Sequence, residues 1–299
     1  MTMTYPRMIA LMALLLMTVV LTACQDQGAT RGDKTPTAAP TAPASGPASG
    51  PADKAAPTSA PAGKPTSAPA AAGGTGAIDH SPWDVLLKKY VTEDGPVRYK
   101  DWKASEADMK ALKAYTDAVA ATDLSKLSKP EQLAFYINAY NAYTIQAVLD
   151  RYPIASVMKV DGFFKKIEHK VAGESMTLDT LENKKIRGGF DEARIHFVVN
   201  CASASCPKLR RDAITTANME AEMEKAAKEY IQKETKVVDG GKAVSTSEIF
   251  SWFKGDFDKA AGSVGSFLAK RLDGEAAKLA SAGKIKHHPY GWDLNEAKP

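Results

Sequence analysis

The feature that most constrains this 299-residue chain is a long segment, residues 25–78, that is rich in proline, alanine, threonine, serine and glycine. It holds most of the 17 prolines and contains no aromatic residue. A stretch of this composition cannot bury enough apolar surface to offset the entropy lost on ordering it. We therefore expect a disordered tether here, and we expect the folded part of the chain to follow it.

The charges of the remaining chain are evenly mixed. Residues 1–78 contain five basic and three acidic residues, which leaves 34 basic and 32 acidic residues after them. Nucleic-acid-binding proteins present a clustered basic surface, and a net charge of +2 does not indicate one. We therefore expect no nucleic-acid partner.

The N-terminus has the pattern of an export signal. Arg7 precedes a largely apolar segment, 9–21, whose 13 residues are too few for a membrane span but suit a signal-peptide core. The next residues, Leu21-Thr22-Ala23-Cys24, resemble the lipobox of bacterial lipoproteins, in which the cysteine is lipidated and becomes the N-terminus after cleavage. An ordinary cleaved signal peptide is the alternative.

The lipobox resemblance predicts three parts: a signal peptide (1–23), lipidated Cys24 with the tether (24–78), and a globular domain (79–299). It implies a protein of the bacterial cell envelope that is bound to a membrane through its lipid. In a cell with two membranes, Gln25 after the cysteine resembles lipoproteins of the outer membrane that face the periplasm. The partner is then expected to be a cell-wall component or an envelope protein, and the sequence does not indicate an oligomeric state.

Hydrophobic periodicity and capping residues predict a single, mostly helical α+β domain with a small sheet. Helices are predicted at 83–91, 106–120, 131–149, 216–232, 263–272 and 274–282, and hairpins at 168–177 and 237–244. The segment 195–200, IHFVVN, is predicted to be the best strand because of its β-branched and aromatic residues. Shorter strands are predicted at 97–99 and 284–292.

Two asparagines, Asn138 and Asn141, lie on the apolar face of the helix predicted at 131–149. A buried amide is costly unless its hydrogen bonds are satisfied, so each must have a specific partner. One interpretation is a buried network that fixes loop backbones. The other is that one amide orients a catalytic histidine or lines an oxyanion site.

Two cysteines, Cys201 and Cys206, follow the predicted strand. In an oxidising compartment such an isolated pair favours a disulfide. The alternative is a reactive thiol. Strand alternation would turn Cys201 away from His196, so Cys206 is the candidate nucleophile, with His196 as its base and Asn138 or Asn141 as the orienting amide.

Other chemistries have weaker support in the sequence. The two cysteines do not have the Cys-x-x-Cys spacing of redox pairs, and with His196 they supply only three zinc ligands. We therefore predict no metal and no cofactor. Glu182 and Arg187 flank a predicted turn before Gly188-Gly189, where an ion pair is the ordinary explanation and substrate binding by Arg187 the alternative.

Five motifs follow one another along the chain: Leu133–Ile145, Gly162-Phe163-Phe164, Ala172–Arg187, His196–Leu209 and Tyr290–Asn295. Together, and in this order, they resemble the domain-of-unknown-function 547 family. The family often has an aspartate between the tyrosine and tryptophan of the last motif, where this chain has Gly291. The resemblance implies a bacterial envelope protein and brings no established reaction.

Two functional hypotheses follow. The first is a binding or scaffold lipoprotein in which a Cys201–Cys206 disulfide, the two asparagines and His196 hold a surface together. The second is a thiol-dependent hydrolase or acyl/amide transferase that acts on a peptide or cell-wall amide. The second requires a free Cys206 close to His196.

Overall fold

A computed structural model describes residues 78–298. The predicted signal peptide, the lipidation site at Cys24 and the tether up to residue 77 lie outside these described residues. Within residues 78–298, none of the helices combines the length and the apolar character needed to cross a membrane.

Four helices form the first half of the domain. They are α1 (Ser81–Tyr90), α2 (Tyr99–Ala104), α3 (Glu106–Ala121) and α4 (Lys129–Arg151). Proline in the first turn favours the start of α1, and the Ser105 hydroxyl accepts a hydrogen bond from the Asp108 amide at the start of α3. The ring of Trp83 from α1 stacks on Tyr115 of α3, so aromatic packing joins these two helices.

Helix α4 is the centre of the domain. A capping box formed by Ser128 and Glu131 fixes its start. Nearly every residue from Leu133 to Leu149 is buried, including Asn138 and Asn141. A helix that is enclosed on all sides must satisfy any polar side chain within the protein, and this places both amides against neighbouring loops.

A small hairpin and three short turns follow α4. Strands β1 (Glu168–Val171) and β2 (Glu174–Thr177) pair antiparallel. Next come a single helical turn, α5 (Leu178–Thr180), a π-helix (Leu181–Arg187) and a 3₁₀ turn (Ala193–Phe197). Single-turn π-helices occur often at functional sites, and this one packs against α4.

The last part of the described chain is a three-stranded sheet with helices around it. Its elements are α6 (Met219–Glu234), β3 (Lys236–Val238), β4 (Ala243–Ser247), α7 (Ile249–Trp252), α8 (Lys254–Ala261), α9 (Val264–Ala269), α10 (Gly274–Ser281) and β5 (Ile285–His288). The strand order is β3-β4-β5. Strand β4 is antiparallel to β3 and parallel to β5, and helices α7 to α10 form the crossover that a parallel pair requires.

The predicted mostly helical α+β class is confirmed, but two predicted strands are wrong. Residues 195–200 are not a strand: the 3₁₀ turn Ala193–Phe197 covers their first part, and its apolar residues are buried. The β-branched and aromatic residues of this segment therefore indicate that it is buried, and not that it pairs with another strand. Of residues 97–99, Val97 makes only isolated bridges, and α2 begins at Tyr99.

Candidate functional site

The loop at residues 198–207, called the cysteine loop below, brings its two thiols together. The sulfurs of Cys201 and Cys206 lie 3.0 Å apart, in hydrogen-bond contact. Both cysteines are free and partly exposed, so the structure has two thiols where a disulfide was expected. The pair nevertheless lies close enough that a disulfide could form with a shift of about 1 Å.

Asn200 shapes the turn that presents Cys201. Its side-chain oxygen accepts a hydrogen bond of 2.9 Å from the Ala202 amide, and its side-chain nitrogen donates to the Pro207 carbonyl at 2.8 Å. Ala202 is buried with φ of 58°, a left-handed conformation that is unusual for a residue other than glycine. The turn is thus held by side-chain bonds at both ends of the loop.

Asn141 of α4 fixes the start of the cysteine loop. Its amide nitrogen donates to the Val198 carbonyl and its oxygen accepts from the Asn200 amide, each at 2.8 Å. Asn138 makes the same two bonds to the backbone of Ile214, at 2.7 and 3.0 Å. Both amides therefore form the pair of backbone hydrogen bonds that a neighbouring β-strand would form. These hydrogen bonds go to backbone groups and not to His196.

Two hydroxyls surround the sulfur of Cys201. The Ser203 hydroxyl and the Tyr290 hydroxyl each lie 3.1 Å from it, and the two hydroxyl oxygens lie 2.9 Å apart. Burial by itself raises the pKa of a thiol, but here the hydrogen bonds to the sulfur outweigh it and lower the pKa of Cys201 to about 7. Cys201 is therefore the more readily ionised thiol of the pair, and about half of it is thiolate near neutral pH.

The pKa of Cys206 is shifted in the opposite direction. Burial, with the negative charge of Cys201 beside it, raises the pKa of Cys206 well above the usual range of a thiol. The Cys201 amide donates to the Cys206 sulfur at 3.0 Å, which fixes the position of the second thiol. When Cys201 is ionised, a thiolate and a protonated thiol therefore face each other.

The C-terminal segment, residues 290–296, covers the cysteine loop. The Ala204 amide donates to the Asp293 carbonyl at 2.7 Å, and the Gly291 amide donates to the Ser205 hydroxyl at 2.8 Å. A Cβ atom at Gly291 would lie 3.0 Å from that hydroxyl oxygen. Glycine at this position thus leaves room for the close approach of segment and loop.

Three aromatic side chains, Tyr290, Trp252 and Trp292, form a group next to Cys201. The Tyr290 ring lies 5.0 Å from the Trp252 ring and 4.8 Å from the Trp292 ring, and both tryptophans are partly exposed. Tyr290 therefore joins the polar surroundings of Cys201 to a partly exposed apolar surface.

His196 does not lie with the thiols. Its Nε2 atom bonds to the Asp256 carboxylate over 2.7 Å, and its ring stacks on Phe253 at 3.9 Å. Burial lowers the pKa of His196. The structure thus separates His196 from Cys206, because the 3₁₀ turn points the ring at helix α8 and not along a strand.

Residues 124–231 match a family model. Its description is "Protein of unknown function, DUF547", and the match supports that domain family. No curated protein and no solved structure matched the chain.

The DUF547 match contains part of the site. It includes the two asparagines of α4, His196 and both thiols, and it ends before Asp256 and Tyr290. Asp256 and the hydroxyls of Ser203 and Tyr290 were not among the residues singled out from the sequence. Tyr290 lies in a quoted motif, but its contact with a thiol 89 positions away is a product of the fold.

In the structure, other contacts replace the predicted Glu182–Arg187 ion pair. Arg187 donates through Nε and Nη2 to the two carboxylate oxygens of Asp256, at 2.7 and 3.1 Å. Burial opposes ionisation of Asp256, but hydrogen bonds from His196 and Arg187 hold its pKa well below its usual range. Arg187 therefore stabilises the His196 cluster.

Glu182 points inward from the π-helix. Its carboxylate accepts a hydrogen bond of 3.2 Å from the Tyr140 hydroxyl of α4. Burial raises the pKa of Glu182 to about 7, and the charge of Cys201 contributes in the same direction, against Arg187 and Tyr140, which lower it. A carboxyl of this kind can exchange a proton near neutral pH.

Two open cavities are both lined by Ile78 and Asp79. Their volumes are about 470 and 720 Å³. The first is lined by carboxylates such as Asp79 and Asp84, and the second by alanines of α3. No residue of the cysteine loop lines either cavity, so their size does not identify them as part of the thiol site.

Proposed function

We propose that the protein carries out dithiol–disulfide exchange at Cys201 and Cys206. The observation that supports this most directly is the pair of free sulfurs 3.0 Å apart, one with a lowered and one with a raised pKa. Exchange requires a thiolate to attack and a second thiol within reach to complete the reaction. Both are present, although the spacing differs from Cys-x-x-Cys.

The reaction proceeds in two balanced steps. The Cys201 thiolate attacks one sulfur of a substrate disulfide, so a mixed disulfide forms and the other substrate sulfur leaves as a thiolate. Cys206 then loses its proton and attacks the Cys201 sulfur, which releases the second substrate thiolate. The substrate is reduced by two electrons, and the dithiol is oxidised to a disulfide.

The substrate class is a disulfide-bonded peptide or protein. The partly exposed rings of Trp252 and Trp292 lie beside Tyr290 and give the thiol site an apolar border. A peptide chain offers both apolar side chains and backbone groups to such a surface.

A hydrolase or acyltransferase with Cys206 as nucleophile has less support. That chemistry needs a base in hydrogen-bond reach of the thiol, and His196 bonds to Asp256 instead. The raised pKa of Cys206 also keeps it protonated. Exchange through Cys201 needs no histidine, because its thiolate is stabilised by neighbouring hydroxyls.

We place this activity in the bacterial cell envelope. The lipobox ending at Cys24 supports a lipid-anchored protein, and Gln25 supports the outer membrane, facing the periplasm, where two membranes are present. Cys24→Ser should move the protein from the membrane fraction to the soluble fraction, whereas unchanged fractionation would contradict the anchor.

The exchange reaction is tested on the full chain carrying Cys24→Ser, so that Cys201 and Cys206 are its only cysteines. The reduced protein is incubated with a disulfide-bonded peptide, quenched in acid, and alkylated after denaturation for intact-mass analysis. We expect loss of both alkylation sites in the protein and gain of two thiols in the peptide.

Single-thiol variants separate the two roles. Cys206→Ser should trap the mixed disulfide with the peptide. Cys201→Ser should form much less of it at pH 7, because burial alone still raises the pKa of the remaining thiol. If neither thiol of the parent chain reacts, the scaffold function is the better description. Peptide hydrolysis without thiol oxidation would support the hydrolase instead.

A further inference from the structure

We propose that the same thiol pair reduces small hydroperoxides, and that the hydroxyls of Ser203 and Tyr290 stabilise the peroxide oxygens during the reaction. The substrate class is hydrogen peroxide and small organic hydroperoxides. This activity goes beyond the exchange reaction proposed above. It uses the same two sulfurs with a different oxidant, so the two reactions hold or fail separately.

The first argument is the arrangement of donors around the Cys201 sulfur. The hydroxyl oxygens of Ser203 and Tyr290 each lie 3.1 Å from it and 2.9 Å from each other. Whichever hydroxyl donates to the other, the O–H of the acceptor remains free to point at the sulfur. A hydrogen-bond donor is therefore in reach of a peroxide oxygen that approaches this sulfur, where negative charge develops as the O–O bond breaks.

Both donors are held in place by contacts other than the sulfur. Ser203 is buried, and its backbone forms an antiparallel bridge with Leu294. The Tyr290 amide donates to the Glu248 carboxylate at 3.2 Å, and the ring packs against Trp252. Donors that are already oriented need no rearrangement when charge develops in the transition state, which is the condition for catalysis by hydrogen bonds.

The second thiol completes the reaction. A thiolate that reacts with a peroxide becomes a sulfenic acid, which condenses with a nearby thiol to a disulfide. The sulfurs of Cys201 and Cys206 are 3.0 Å apart, and the Cys201 amide donates to the Cys206 sulfur at 3.0 Å. The resolving thiol is therefore in contact with the sulfur that is oxidised.

Access to the sulfur suits a small oxidant. The Cys201 sulfur contacts the Cys206 sulfur and both hydroxyls, and the residue is only partly exposed. A hydroperoxide has to bring one oxygen atom to this sulfur. A peptide disulfide has to bring a sulfur atom that carries a side chain and a backbone.

The two steps are balanced. The Cys201 thiolate attacks the terminal oxygen of the hydroperoxide, so an S–O bond forms, the O–O bond breaks, and the other oxygen leaves and takes a proton from water. The Cys206 sulfur then attacks the Cys201 sulfur, the S–O bond breaks, and the leaving hydroxide takes the Cys206 proton to form water. The peroxide gains two electrons, and the dithiol is oxidised to a disulfide.

The test uses the full chain with Cys24→Ser, in the reduced form, and hydrogen peroxide as the probe. The rate of thiol loss is divided by the rate of alkylation by iodoacetamide at the same pH. Both reactions consume the thiolate but only one breaks an O–O bond, so this ratio removes the effect of the thiolate fraction. We expect the ratio to exceed that of free glutathione about tenfold or more. In Cys206→Ser, dimedone should trap the sulfenic acid at Cys201, which intact mass detects.

Two variants and a matched control test the hydroxyls. Ser203→Ala and Tyr290→Phe should each lower the ratio about tenfold, and either one keeps the proposal falsifiable if the other fails to fold. Ser205→Ala is the control from the same loop, because the Ser205 hydroxyl accepts from the Gly291 amide at 2.8 Å. That variant should keep the ratio within about twofold of the parent chain.

The outcomes are distinguishable. A ratio equal to that of glutathione, or an unchanged ratio in both hydroxyl variants, would overturn this inference and leave exchange with the peptide disulfide intact. Rapid reaction with peroxide but none with the peptide disulfide would support this inference and overturn the proposed exchange. Reaction with neither oxidant would overturn both.

Discussion

Replacing Asn141 with alanine tests whether its amide holds the cysteine loop in place. The substitution removes two hydrogen bonds and leaves the Val198 carbonyl and the Asn200 amide without partners in a buried setting. An unsatisfied buried backbone group costs about 1–3 kcal/mol, so we expect a loss of about 2–6 kcal/mol in the free energy of unfolding. A domain has only about 5–15 kcal/mol in total, so this loss is large.

The assay is urea unfolding followed by tryptophan fluorescence, together with thiolate absorbance as a function of pH. Asn138→Ala is the matched control, since Asn138 makes the same pair of bonds to the backbone of Ile214. Both variants should lose comparable stability. In Asn141→Ala alone, the pH midpoint of thiolate formation should move upward, because the hydrogen bonds to Cys201 depend on the loop geometry.

Two results would refute this reasoning. A stability loss below about 1 kcal/mol in Asn141→Ala would mean that the two backbone groups find other partners. Equal shifts of the pH midpoint of thiolate formation in both variants would mean that the thiols respond to general destabilisation, and not to loss of the Asn141 hydrogen bonds to their own loop.

Three further predictions concern other parts of the domain. Asp256→Asn should destabilise the protein by about 1.5–3 kcal/mol at pH 7, measured by urea unfolding. Folding lowers the pKa of this carboxyl, so the difference in stability between parent and variant should shrink as the pH falls below about 4, and not as the pH rises. Tyr290→Phe removes a hydrogen bond that lowers the pKa of Cys201, so alkylation by iodoacetamide at pH 7 should slow and its pH midpoint should rise; an unchanged midpoint would contradict the role of the hydroxyl. Gly265→Ala places a Cβ atom 2.2 Å from a backbone oxygen of α10 and should cost about 1–3 kcal/mol in thermal unfolding, whereas Gly255→Ala, with open space at its Cβ, should be neutral or stabilising.

The sequence was sufficient for features that depend on local signals. The serine, proline and glutamate at residues 128–131 predict the start of α4 to within two residues, because a capping box is formed by neighbours along the chain. The hairpin of β1 and β2 was likewise predicted from a turn, at Ala172-Gly173, where both residues have positive φ.

Features that depend on tertiary contacts could not be predicted. The segment 195–200 has the composition of a strand, yet its backbone partner at one end is the side chain of Asn141, which no pairing rule anticipates. Helices α7 and α8 were not predicted. The contact of His196 with Asp256 spans 60 positions, so strand alternation assigned the histidine to the wrong neighbours.

Residues 290–297 are the last part of the described core to be synthesised. Asn295 and Ala297 form backbone hydrogen bonds with Val97, and the Leu294 amide donates to the Ala155 carbonyl. These contacts join residues about 140 to 200 positions apart, so they raise the contact order of the domain. During synthesis from the N-terminus, both cysteines are made long before Tyr290 is available to cover them. The nascent chain therefore passes through a period in which its two thiols are open to any oxidant, and residues 290–297 decide when that period ends.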